Sequence, residues 1–230
     1  MTLDGAVNKT AIMLAILIST AAISWNFPSP FIVMLSYIGI FAAAIASVVT
    51  FGFWMPFIGF IINPRPYLAP KTWLVFAFGE GFFIGLISLS FETMFPGIVL
   101  EAVSLTFCVA ATLLFLYKSG IVKPSQNFVL MVCSAVFGIF LFYIGTLIYS
   151  LVTGVSPEIF SGSSNASIGL SLFIVAMAAF SLVLDFDIIE QSAEYGSPKY
   201  MEYFGAMALV TTLIWLYIEI LRLLAKFRSR

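Results

Sequence analysis

The chain has 230 residues, of which 62% are hydrophobic and only 9% are charged. Soluble domains carry about 25% charged residues, so this composition excludes a water-soluble globule. The formal net charge of -1 leaves no basic surface for nucleic acid, and the chain contains no histidine, which is the commonest metal ligand and general base.

The distribution of apolar residues predicts seven membrane-spanning helices. A span needs about 20 mostly apolar residues, and runs of this length are separated here by short polar or proline-containing segments. The approximate predicted spans are residues 10–26, 31–54, 72–91, 98–117, 127–151, 167–189 and 203–225. These runs are apolar on all sides, whereas the strands of a membrane β-barrel alternate. We therefore predict an all-α membrane protein that forms a single integral membrane domain over residues 1–230.

Two parts of this pattern leave alternatives open. The stretch from Phe31 to Ile62 is too long for one straight helix, so it either bends near Gly52, Pro56 and Gly59 or continues as an interfacial segment. The orientation is also weakly determined. With a cytoplasmic N-terminus and seven crossings, six basic residues lie inside and four outside, whereas a re-entrant last segment would place all ten on one side. The length of the last segment favours crossing.

Four acidic residues are candidates for the interior of the predicted spans, where an ionisable side chain costs about 2.5–3.5 kcal/mol. They are Glu80, Glu101, Asp185 and Glu219. Buried carboxylates require protonation, a bound cation or a basic partner, and Arg65 and Arg222 are the candidate partners. These acids therefore predict an interior that handles protons or cations.

The helical period separates interior acids from interfacial ones. Asp185 shares a face with small and polar residues such as Ser171 and Ser181, which suits a helix–helix interior. Asp187 lies about 200° around the helix from Asp185 and continues a stripe to Glu190. We therefore predict that Asp185 is internal and that Asp187 lies at the interface. Glu80, Glu101 and Asp187 are the candidates for positions along an ion pathway.

Each acid also has a structural explanation. Glu101 follows a proline–glycine turn closely enough to be a first-turn acid that the helix dipole favours. Glu219 could pair with Arg222, three residues later, near the membrane edge. Asp185 could form an interhelical hydrogen bond as a protonated acid. Gly81 and Gly85, beside Glu80, form a Gly-xxx-Gly pattern that indicates helix packing.

Several motifs occur together in the third span and the last sixty residues. The most specific is Trp-Leu-Tyr-Ile-Glu-Ile-Leu-Arg from Trp215 to Arg222, and shorter ones surround Glu80-Gly81, Pro96-Gly97 and Leu184–Asp187. Over roughly residues 70–226 the chain resembles a bacterial branch of the Bax inhibitor motif family, whereas residues 26–65 match poorly.

The resemblance implies seven helices with the last one central, in the inner membrane of a bacterium. It also implies a pH-sensitive calcium leak gated by an acidic pair on the last two helices, which maps onto Asp185 and Glu219. The pair would sense pH and bind transported Ca²⁺ transiently, and no other cofactor is implied. Pairing requires the last helix to start near Ala206 or the sixth span to extend past Glu190.

Two carboxylates within hydrogen-bond distance cannot both ionise cheaply, so such a pair shares a proton and titrates as a unit. Ionisation of both would separate them and expose oxygen ligands for Ca²⁺. The alternatives are a modulator of a membrane protease and a proton-coupled transporter of a small solute. We do not expect an enzyme, because the sequence offers neither histidine, nor an activated serine or cysteine, nor a phosphate-binding glycine loop.

Overall fold

The computed structural model describes residues 1–51, 65–155 and 157–230. The helices are α1 (Leu3–Asn26), α2 (Pro30–Phe51), α3 (Ala69–Met94), α4 (Ile98–Lys118), α5 (Gln126–Thr153), α6 (Glu158–Ser161), α7 (Asn165–Glu194) and α8 (Tyr200–Arg228), with a 3-10 turn at Pro66–Leu68. In the described ranges seven helices are long and apolar enough to cross a membrane, and none of these residues forms a strand. The all-α seven-helix membrane fold is confirmed.

Local sequence sets several helix ends. Thr2 begins α1 by accepting a hydrogen bond from the backbone N–H of Gly5, and Ser125 does the same for Phe128 at the start of α5. Gly97 and Gly154 adopt positive φ angles of 82° and 71° at the start of α4 and the end of α5. The alternatives predicted for Gly52, Pro56 and Gly59 lie outside the described residues.

The helix ends extend beyond the apolar runs that predicted them. The sixth predicted span stops at residue 189, whereas α7 continues to Glu194, and α8 already begins at Tyr200. Polar residues can remain helical where they reach the membrane surface, so apolarity marks the span but not the helix. Of the two alternatives given for the helix ends, α7 extends past Glu190, whereas α8 does not start near Ala206.

The helices form two compact units. The first contains Met1–Met94 and Asp185–Thr211, and the second contains Phe95–Leu184 and Thr212–Arg230. The first unit therefore holds α1, α2 and α3, and the second holds α4, α5 and α6. Both α7 and α8 contribute one part to each unit.

In the first unit, α3 packs against α1 and α2 through glycines. A Cβ atom on Gly39 of α2 would lie 2.9 Å from the Cα of Gly79 on α3, which is closer than real Cβ atoms approach. A Cβ on Gly81 would meet the carbonyl oxygen of Leu17 on α1 at 2.7 Å, and Gly85 is similarly close to Ala21. The Gly-xxx-Gly pattern therefore serves close helix packing.

The second unit has an apolar cluster between α5, α7 and α8. Ile139 of α5 and Ile174 and Met177 of α7 form its buried centre, and Tyr143 and Trp215 pack against it. Among the described spans α8 is the most buried and α5 the least, with 56% and 11% of the residues in their most apolar stretches buried. The most enclosed helix therefore carries Glu219.

Candidate functional site

Glu219 lies on the buried face of α8 and is only 2% exposed. The phenol of Tyr143 on α5 donates a hydrogen bond of 2.6 Å to its Oε1 atom. The Nη1 atom of Arg222 donates to the same oxygen at 3.2 Å and forms an ion pair with it. The structural explanation for Glu219, an ion pair with Arg222, is therefore present. Tyr143, from another helix, donates a hydrogen bond to the same oxygen.

Arg222 connects this buried carboxylate to a more exposed position. Residues three apart share a helix face, which is why Arg222 reaches Glu219. The guanidinium lies over the Tyr143 ring, 5.8 Å from its centroid, and donates to the phenol oxygen at 3.4 Å. The Arg222 side chain is 35% exposed, against 3% for Glu219. Of the two predicted candidates, Arg222 forms an ion pair with an interior acid, whereas Arg65 lies at an exposed position.

Asp185 lies on the buried face of α7 that the helical period predicts. It is 5% exposed, and Ser181, one turn earlier, is 3% exposed. Asp185 belongs to the first unit and Glu219 to the second, and their pairing stays a prediction. In the described ranges no three acidic or cysteine side chains come together to hold a metal ion.

The remaining predicted acids occupy different environments. Asp187 is partly exposed and accepts a 2.6 Å hydrogen bond from Gln191, one turn later. Glu101 is exposed, and its Oε1 lies 2.7 Å from the Nη2 of Arg228. It lies in the first turn of α4, as the structural explanation of a first-turn acid requires. Glu80 is partly buried on α3.

Sequence analysis missed a buried lysine. Lys226 is 8% exposed, and its ammonium donates to the Oγ of Ser171 at 2.8 Å and to the carbonyl oxygen of Ser167 at 3.3 Å. It continues the face of Glu219 and Arg222 by a step of four residues. That spacing is visible in the sequence, but the last predicted span ends at residue 225, directly before Lys226.

A second missed residue is Glu202 in the first turn of α8, which is 3% exposed. Its Oε1 accepts from the backbone N–H and the hydroxyl of Thr2, at 3.1 and 3.2 Å. Lys9 of α1 places its Nζ 3.9 Å from Oε2 and 5.0 Å from the centroid of the Tyr203 ring. These contacts attach the start of α1 to the start of α8 within the first unit.

Comparison with known proteins identifies the family. A family model described as Bax inhibitor 1 like matches residues 1–229. The match includes residues 26–65, where the sequence motifs resemble this family poorly. No curated protein and no solved structure matches the chain. Since the family model covers nearly the whole sequence, this multi-pass membrane protein belongs to the Bax inhibitor 1-like family.

Proposed function

We propose that the protein is a pH-sensitive calcium leak channel of the bacterial inner membrane, controlled by Asp185 and Glu219. The observation that carries the proposal is the burial of these two carboxylates, 5% and 2% exposed, in helices suited to cross a membrane. Ionisable residues placed there are costly and typically mark ion or proton pathways. Carboxylate oxygens are also the ligands that Ca²⁺ prefers.

Control by pH follows from the position of these groups. Gain or loss of a proton changes the local charge by one unit in surroundings where charges interact strongly. A gate requires only a few kcal/mol of bias between two states. We assign proton sensing and transient Ca²⁺ contact to Asp185 and Glu219, and a place along the ion pathway to Glu80. The proposal assigns transport and no enzymatic chemistry.

The test is Ca²⁺ entry into liposomes that contain the purified protein, measured at a series of pH values. We expect entry above that of empty liposomes and a sigmoidal dependence on pH. Entry equal to that of empty liposomes at every pH would contradict the proposal and favour a modulator of a membrane protease. Proton entry that requires an added solute, without Ca²⁺ entry, would favour a proton-coupled transporter.

A further inference from the structure

We propose that Tyr143 of α5 is a positioning residue that latches Glu219 of α8 in the closed channel, and that this contact separates on opening. The inference rests on the proposed function and adds which helix moves and which side chain holds it. The contact lies entirely within the second unit, where Tyr143 reaches Glu219 across the interface of α5 and α8.

The latch is short and partly buried. The 2.6 Å bond from the phenol to the Oε1 of Glu219 has the length of a charge-assisted hydrogen bond. Arg222 donates to the same oxygen, so one carboxylate atom receives two donors. The apolar cluster around Ile139 and Met177 packs against Tyr143 and limits solvent access. Separation would therefore leave polar groups without partners in an apolar environment, which favours the closed contact.

The packing of α5 makes it the helix that can move. Its most apolar stretch is the least buried among the described spans, and the buried residues of the helix are Val132 and Ile139. Gly138 and Gly145 face open space. The hydrogen bond from Tyr143 to Glu219 is therefore a polar contact of a helix that has few buried side chains.

The charges around Glu219 can be kept constant while the latch is removed. Within the described part of the second unit, Arg222 on the same helix and Tyr143 on α5 bond to its carboxylate, and the ammonium of Lys226 interacts with it electrostatically. Lys226, two turns later on α8, bonds to Ser167 and Ser171 of α7. A Tyr143→Phe substitution deletes one hydroxyl and leaves both cations and the carboxylate in place. The hydroxyl also accepts from Arg222 and bonds to Trp215, so the effect reports the loss of the hydroxyl's hydrogen bonds as a group and not a change of charge.

The first experiment compares Ca²⁺ entry for Tyr143→Phe and for Tyr149→Phe, which removes the same hydroxyl from an exposed position on α5. At the pH where the wild type leaks least, we expect Tyr143→Phe to raise the leak about tenfold, the effect of losing a hydrogen bond to a charged group. The Tyr149→Phe variant should match the wild type. Equal leak in the two variants would overturn the latch.

A second measurement does not depend on Ca²⁺. Ile139→Cys, in a background with Cys108 and Cys133 replaced by serine, places a thiol at a position that is 6% exposed. We expect a water-soluble maleimide to label it faster with Tyr143→Phe than with Tyr149→Phe. If no variant conducts Ca²⁺ but labelling differs, the proposed function fails while the α5–α8 contact is supported. Equal labelling rates in the two variants would overturn the latch. If the variants do conduct Ca²⁺, faster labelling of Tyr143→Phe without a higher Ca²⁺ leak would show that the contact does not gate the channel.

Discussion

In α3 glycines let the backbones of α1 and α2 come close, whereas in α8 long polar side chains extend to the neighbouring helices. The first arrangement brings Gly79 against Gly39 and Gly81 against Leu17 with no space for another carbon atom. The second connects Glu219 to Tyr143 and Lys226 to Ser171 through hydrogen bonds. Helix association inside a membrane is driven largely by van der Waals packing, which close-packed backbones maximise.

The glycine contacts of α3 do not depend on charge, whereas the polar contacts of α8 do. Neither protonation nor ion binding changes the fit of two glycines, so the packing of α3 has one arrangement. The polar contacts of α8 depend on charge and can be exchanged for water, ions or other partners when a helix moves. Polar contacts between membrane helices are individually modest, about 0.6 kcal/mol on average. We therefore expect the glycine contacts of α3 to contribute mainly to stability and the polar contacts of α8 to carry the proposed regulation.

The largest effect on stability is expected for Gly81→Ala. The added methyl group would meet the backbone of α1 at Leu17, which cannot rotate away, so overpacking should cost about 1–3 kcal/mol. The measurement is the thermal unfolding midpoint of the purified protein in detergent. Gly138→Ala is the matched control, because nothing lies within 4 Å of that position. If the two variants unfold at the same temperature, close packing does not stabilise α3.

A smaller loss is expected for Ser171→Ala, which removes the 2.8 Å hydrogen bond to the buried ammonium of Lys226. The unpaired donor should lower the free energy of unfolding by about 1–2 kcal/mol. Ser19→Ala is a suitable control, since Ser19 is exposed on α1 and its hydroxyl bonds only to the carbonyl oxygen of Ala15 one turn earlier. Both midpoints are measured under the same detergent conditions, and a larger loss for Ser19→Ala would contradict the role of Lys226.

The smallest effect is expected for Arg228→Gln. The Glu101–Arg228 pair lies at the exposed start of α4, with side chains 53% and 30% exposed, and exposed pairs contribute about 0–1 kcal/mol. The loss should shrink further at high salt, because salt screens exposed charges. Unfolding midpoints at low and high ionic strength check this. A loss larger than that of Ser171→Ala would reverse the ranking of buried and exposed contacts.

The sequence predicted features that depend on a single helix. Apolar length predicted the spans, and the helical period placed Asp185 on a buried face of α7. The end of α7 at Glu194 lies beyond the apolar run, because the helix continues through polar residues and Gly196, whose φ is 62°, follows only after it. Apolar length alone does not reveal a helical turn that reaches the membrane surface.

Contacts between helices were harder to predict from the sequence. The bond from Tyr143 to Glu219 joins residues 76 positions apart, and no period within α5 or α8 indicates which side chains will face each other. The pair of Glu219 with Arg222 was foreseen as an alternative because it lies within one helix. Lys226 was missed because a cation after an apolar run ordinarily lies in water, and only tertiary packing buries it beside Ser171.

The measurement that tests the central claim most directly is the pH dependence of Ca²⁺ entry for wild type, Asp185→Asn and Glu219→Gln in the same liposomes. Each variant replaces a buried carboxyl group with an amide of nearly equal size that cannot titrate. We predict a sigmoidal curve for the wild type and a nearly flat one for both variants, whereas the control Glu194→Gln, at the exposed end of α7, keeps the wild-type midpoint. Wild-type midpoints in both amide variants would contradict control by Asp185 and Glu219.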